Sequence, residues 1–398
     1  MSKNLKNRVS APNAGEQTIQ LIITKAEKLI SNKEIEEGIA LLENAEEKYP
    51  DNPKLKRILG KTLFKEKSAK DGLKKLESAL EQFPEDVDLL LELASIHLKP
   101  GNTKGANPYA HKALELAPQN PNTHLMMASL NQRKGDLPLA VENYRKAIEV
   151  QLKYPTTEEE PEKKDDFEIG KAENLLWSTL ALMAENGVHM FPAFGTLLGL
   201  VRNGSLLLHD KDIDTGIPFS EMDRTINILK KNGWQEINNS FGYTSPRAML
   251  HLQTKISLDI AGFLIDAQSG KVLTSGAWMP NTPKQWNMIW EFDEIVLEKR
   301  STPENNAQVW FLKKPEKWLE TIYGDWQTPD KNFDTMVCAK NLREFSLLTK
   351  CFAYSRIFEN WTKNNIPRAL SLTRAALNHE PNDGLLKRVL HRLEERRK

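Results

Sequence analysis

Small and apolar positions return every 34 residues along residues 19–150. Ala45, Ala79, Ala113 and Ala147 form one such track, and Ala26, Gly60, Ala94 and Ala128 form a second. Pro50, Pro84 and Pro118 keep the same interval within "YPDNP", "FPEDV" and "APQNP". The period predicts paired helices: a small side chain where two helices cross lets their backbones approach, and the proline stops the second helix of each pair. Ala376 and Pro381 repeat the spacing of Ala45 and Pro50. They predict a partial repeat or a capping helix pair.

The pattern then changes. "YPTTEEEPEKKDDFE" has no helical or strand period in its few apolar residues and reads as a linker. "IGKAENLLWSTLALMAENGV" carries its apolar residues on one helical face, and the strand-like "HMFPAF" follows it. Further on, "KISLDIAGFLI" has the β-branched, apolar character of a buried strand, with one acid, Asp259, in its middle. The expected organisation is a tail (1–18), an all-α repeat solenoid (19–150), a linker (151–165), an α/β or α+β domain (166–345) and C-terminal repeat-like helices (346–398).

Composition narrows the partners. Lys and Arg total 55 against 54 Asp and Glu, so no global field favours nucleic acid or an anionic membrane. No run approaches the eighteen or so uncharged apolar residues of a membrane span, and the start lacks a secretory signal. Two cysteines, Cys338 and Cys351, allow neither a disulfide framework nor a cysteine-rich zinc cluster. The expected location is cytoplasmic, either free or peripheral at a membrane-associated glycan assembly complex.

Candidate chemistry lies in "GTLLGLVRNGSLLLHDKDIDTG", residues 195–216. In an extended strand Asp210, Asp212 and Asp214 share one side while Lys211 and Ile213 point to the other. Converging carboxylates need protons or cations, and hard divalent ions suit clustered oxygen ligands. Asp259, inside an apolar strand, raises the same question: burying a lone carboxylate is unfavourable unless it meets a cation or an exposed edge. The same acids, with Ile217 and Glu221, also fall at ligand positions of a calcium loop. Thr215 stands where that loop needs glycine, and the preceding "NGSLLLH" is not helical.

Two resemblances follow. The 34-residue array, with "GDLPLAVENYRKAIEV" close to a second-helix pattern, resembles the tetratricopeptide repeat, which implies a groove that docks a protein partner. The Gly195-Thr196 turn, Asp212-Ile213-Asp214 and Leu258-Asp259-Ile260 together are similar to the nucleotidyltransferase-fold superfamily. "FGTLLGLVRNGSLLLHDKDIDTGI" and "TIYGDWQTPD" resemble more narrowly the LicD/fukutin family of phosphotransferases.

That family resemblance implies transfer of a phosphate-linked group from a nucleotide diphosphate donor, typically linked to cytidine diphosphate. The acceptor is a hydroxyl of a sugar or polyol-phosphate chain, in capsule, teichoic-acid-like or lipopolysaccharide synthesis. It implies Mg²⁺ or Mn²⁺ held by Asp212, Asp214 and Asp259, with Asp210 in the outer shell or accepting a proton. Substrate contacts are implied for Gly195, Thr196, Arg202, His209, Tyr323 and Trp326. Many members carry three acids in a row where this chain has Asp210, Lys211 and Asp212, which weakens inference about the donor. The alternative function is a non-catalytic adaptor that binds protein partners and a nucleotide or glycan.

Overall fold

The computed structural model describes residues 14–154, 168–208, 210–303 and 305–396. Most of the expected tail and linker, and His209, lie outside the described residues. The chain forms two compact units, divided between Met126 and Met127.

The first unit is made of paired helices: α1 (Ala14–Ser31) with α2 (Ile35–Lys48), α3 (Pro53–Glu66) with α4 (Ala69–Gln82), and α5 (Val87–Leu98) with α6 (Thr103–Leu116). The small-residue tracks are buried at the crossings, with Ala26, Ala94 and Ala113 fully so. A Cβ on Gly60 would meet Leu76 at 2.7 Å, which explains glycine there. A third track absent from the sequence reading, Gly38, Gly72, Ala106 and Ala140, keeps the same interval; a Cβ on Gly72 would lie 2.2 Å from the Phe64 backbone. Each second helix ends alike: the amides of Tyr49, Phe83 and Ala117, just before the periodic prolines, bond Ala45, Ala79 and Ala113 carbonyls. First helices start on side-chain caps, Asn52 for α3 and Asp86 for α5.

Helix α7 (Pro121–Lys134) spans the division, and the second unit begins with its end and α8 (Leu137–Gln151). Helix α9 (Ile169–Glu185), β1 (Phe191–Pro192), α10 (Phe194–Asn203), β2 (Asp212–Pro218), α11 (Met222–Lys231), β3 (Trp234–Ile237), β4 (Arg247–His251) and β5 (Ser257–Ile265) follow. Next come β6 (Val272–Ala277), β7 (Met288–Phe292), a β8 (Leu297–Ser301) and β9 (Gln308–Leu312) hairpin, α12 (Pro315–Tyr323) and the short α13 (Thr335–Cys338). The mixed sheet has the order β1-β2-β5-β4-β3, with β6 continuing from β5 and β7 beside β6. Strands β2 and β5 are parallel, and their neighbours are antiparallel.

Alternation along β2 and β5 separates two cores. Ile213, Ile217, Leu258 and Ile260 join α9 and α11 on one face. Ala261 and Phe263 join Phe194, Leu197, Trp290 and Trp318 on the other.

Three helices close the chain: α14 (Leu347–Thr362), α15 (Ile366–His379) and α16 (Gly384–Glu394). Helix α14 packs on α8 and α15, and α16 packs on α15 and α8. The amide of Glu380 bonds the Ala376 carbonyl before Pro381, the ending already seen in α2, α4 and α6. Arg145 of α8 pairs with Asp383 and donates to the Tyr354 hydroxyl at 2.9 Å. The repeat-like packing therefore resumes at α14, so the α/β segment stands in sequence between two runs of repeat-like helices. No helix among the described residues is long and apolar enough to cross a membrane.

Candidate active site

The site forms where β2 and β5 run side by side. In their parallel register Asp214 stands opposite Asp259, and Asp212 opposite Ser257. Since Ile213 and Leu258 fill the first core, alternation turns Asp212, Asp214 and Asp259 to the other face. Lys211 is exposed. Residues 212–218 form a strand, and Glu221 binds the Nδ1 and amide of His189, so the calcium-loop reading is set aside.

Helix α10 delivers its N-terminus to this face. Its cap residue, Ala193, has no side-chain acceptor for the first amides, and Phe194 opens the helix with φ +43°, in the left-handed region. The Gly195 amide then donates to Asp214 Oδ2 at 3.0 Å, so the carboxylate itself caps the helix. In return the Asp214 amide donates to Thr196 Oγ1 at 2.8 Å, and the Ala193 amide to the Asp214 carbonyl at 3.1 Å. Thr196 is fully buried and ties strand to helix.

A Cβ at position 195 would lie 3.1 Å from Asp214 Oδ2 and 3.3 Å from Asp210 Oδ2. The glycine thus admits two carboxylates to the helix end. Gly195→Ala should push them aside by tenths of an ångström and lower turnover about tenfold, since small misplacements of reacting groups are amplified in rate. Steady-state kinetics beside a melting curve checks this; wild-type turnover would remove Gly195 from the site.

The acids disturb one another strongly. Burial, then the Asp212 charge, pushes Asp210 up to about 7 against a partial offset from Arg202. Burial and Asp212 likewise push Asp259 up to about 7. Asp212 is raised by burial. Asp214 is held well above the usual carboxylate range by burial and by Asp212, Asp259 and Asp210 together. Asp210 Oδ2 is buried without a hydrogen-bond partner.

Asp214 and Asp259 face a cavity of about 130 Å³ walled by Phe194, Trp290, Pro246, Thr335 and Met336. Trp290 lines this cavity, whereas Trp310 lies tilted against His189 with ring centroids 4.6 Å apart. Arg202 reaches the Trp326 carbonyl at 3.3 Å, joining α10 to the "YGDW" turn. Trp326 itself packs on the second core. The Tyr323 ring lies against Phe333 at 5.0 Å; burial, then the charge of Asp214, raises its phenol, and its hydroxyl pairs with Thr335. Phe194, Thr335 and Met336 escaped the sequence reading, because a left-handed φ and a wall brought from 120 residues downstream leave no local pattern.

Residues 187–292 match the model of the family described as LicD/FKTN/FKRP, nucleotidyltransferase domain. This segment is a LicD-family nucleotidyltransferase domain. The match includes Gly195, Thr196, Arg202, Asp210, Asp212, Asp214 and Asp259, whereas Tyr323 and Trp326 lie beyond it. Comparison with curated proteins gave no match. Among solved structures, MamA from Desulfovibrio magneticus RS-1 is similar over 34% of this chain and 76% of its own, at 15% identity and a TM-score of 0.29. YrrB, a TPR protein with an unusual peptide-binding site, is similar over 35% and 76%, at 22% identity and 0.27. The antibiotic-resistance factor ANT(2'')-Ia is similar over 53% and 97%, at 13% identity and 0.26.

The LicD-domain acids fit a hard divalent cation by donor chemistry: all are carboxylate oxygens, they repel one another, and one buried oxygen has no partner. Among the described residues no three His, Cys, Asp or Glu side chains form a ready cage. Mg²⁺ does not require one, since it keeps several waters and takes one or two carboxylates together with substrate phosphates.

Proposed function

We propose that the LicD domain is a metal-dependent phosphotransferase that moves a phosphate-linked group from a cytidine diphosphate-linked donor to a hydroxyl of a cell-surface glycan or its precursor. The observation that carries this reading is the pairing of Asp214 with Asp259, beside Asp212 and Asp210, at the N-terminus of α10 and on the wall of a cavity. Four carboxylates so close are a standing electrostatic penalty that a scaffold has no need to retain.

A cation held by one or two of Asp212, Asp214 and Asp259, together with the donor's phosphates, would supply neutralisation of those phosphates and of the charge that develops during transfer. The chain's own residues do the rest. Gly195, with no side chain, lets Asp214 and Asp210 lie against the helix end, where a bound cation would bring the phosphates to them. Arg202, fixed at the Trp326 carbonyl, brings a guanidinium beside Asp210 and toward the same phosphates. With its carboxyl at about 7, Asp210 is suited to accept the proton of the attacking hydroxyl near neutral pH. Trp290 and Phe194 give the cavity apolar walls that exclude water. The paired helices supply docking for a protein partner, in keeping with their repeat pattern.

The test is calorimetry of cytidine, uridine, guanosine and adenosine diphosphates, with and without Mg²⁺, on wild type and Asp212→Ala. Mg²⁺-dependent binding of the cytidine compound, lost in the variant, is the expected result. Absence of nucleotide binding under every condition would turn the reading toward the adaptor.

A further inference from the structure

Two parts of the cavity wall, Thr335–Met336 and Pro246, lie outside the sheet and α10, and both are held by repeat-like helices. Thr335 and Met336 come from α13, a helix of four residues, too short to persist by its own hydrogen bonds. Asp334, 2% exposed, caps it: Oδ1 accepts the Met336 amide at 3.1 Å, and the backbone carbonyl accepts the Val337 amide at 3.0 Å. The same carboxylate receives Arg356 of α14 on Oδ1 and Arg368 of α15 on Oδ2, the latter at 3.2 Å. One buried acid therefore joins two C-terminal helices to the residues beside Asp214 and Asp259.

The Pro246 part of the wall is tied in a parallel way. Pro246 ends a loop whose Tyr243 hydroxyl accepts from Gln132 of α7 at 2.6 Å. The Arg133 guanidinium lies 3.7 Å from the Phe241 ring centroid and donates to Ser240 at 2.9 Å. Phe352 of α14 adds a ring contact to Tyr243.

We propose that Asp334 is a positioning residue through which α14 and α15 hold the Thr335–Met336 wall of the LicD-domain cavity, so that the repeat-like helices set the shape of the substrate site. Removing one guanidinium leaves the buried carboxylate undercompensated, and the short helix it caps is the element free to shift. The wall's effect on substrate rests on the transferase reading; its attachment does not.

Cys338 lies on α13 and is partly exposed, whereas Cys351 is buried in α14, so their labelling separates local release from global loosening. In the full chain Arg368→Gln should accelerate maleimide labelling of Cys338 about tenfold, read by peptide mass, with Cys351 unchanged. Arg368→Lys should recover most of the wild-type rate, and Arg356→Gln should reproduce the acceleration. Where wild type binds cytidine diphosphate with Mg²⁺, its dissociation constant should rise about tenfold in Arg368→Gln. Unchanged Cys338 labelling in both glutamine variants, or equal acceleration at the two cysteines, would overturn the proposal. If wild type bound no nucleotide, the transferase reading would fail while the labelling still decided the attachment.

Discussion

Asp214→Asn should lose about 10²- to 10³-fold in turnover and, freed of metal, unfold at a higher temperature than wild type. Asparagine keeps an oxygen where Asp214 Oδ2 accepts the Gly195 amide, so the tie to α10 survives. What disappears is a buried carboxyl whose ionisation is opposed first by burial and then by the repulsion of Asp212, Asp259 and Asp210. A folded state that carries such repulsion is stabilised by removing it, which separates a functional acid from a structural one: loss of a structural partner would lower stability. Calorimetric melting in a chelator at pH 8, beside steady-state turnover, gives both readings. A variant that melts lower than wild type contradicts the repulsion, and one that turns over normally contradicts the catalytic assignment.

Much of this arrangement was legible in the sequence. The tracks at 45, 79, 113 and 147 and at 26, 60, 94 and 128 name helix crossings because each crossing needs a small residue and each repeat solves the same packing problem. Alternation in "DIDTG" told that Asp212 and Asp214 share a face, because strand geometry leaves two choices, whereas Asp210 precedes the strand and its place could not be read that way. The pairing of Asp214 with Asp259 depends on a parallel register between segments 45 residues apart, which the family pattern supplied and periodicity alone does not. The link between Asp334, Arg356 and Arg368 was not legible at all. Arginines on an amphipathic helix look like solvated positions until tertiary structure brings a buried carboxylate to them. The same holds for Phe194, whose left-handed φ serves the helix entry and contradicts its own steric preference.

Cation affinity and stability should move in opposite directions with pH. Asp210 and Asp259 are raised to about 7 from an ordinary value of 3.8, so between those limits the folded state binds protons that the unfolded state has released. Stability of the metal-free protein must then fall as pH rises through this window and level off above about 7. A cation competes for the ionised form, so its affinity rises over the same interval. For a single carboxylate titrating at about 7, raising the pH from 5.5 to 7.5 strengthens binding roughly 25-fold, and the upward shifts of Asp212 and Asp214 steepen the dependence. Melting temperatures across pH 4.5–8.5 in chelator and in millimolar Mg²⁺ give both curves. The chelator curve should descend and the gap between the two should widen with pH. Asp259→Asn should flatten the descent and shrink the gap, because it removes one proton site and one oxygen charge without disturbing Leu258 and Ile260 in the first core. A gap that is constant with pH would mean that Asp210, Asp212, Asp214 and Asp259 are not the group to which the cation binds, and a metal-free protein that gains stability between pH 5 and 7 would contradict the upward shifts of Asp210 and Asp259.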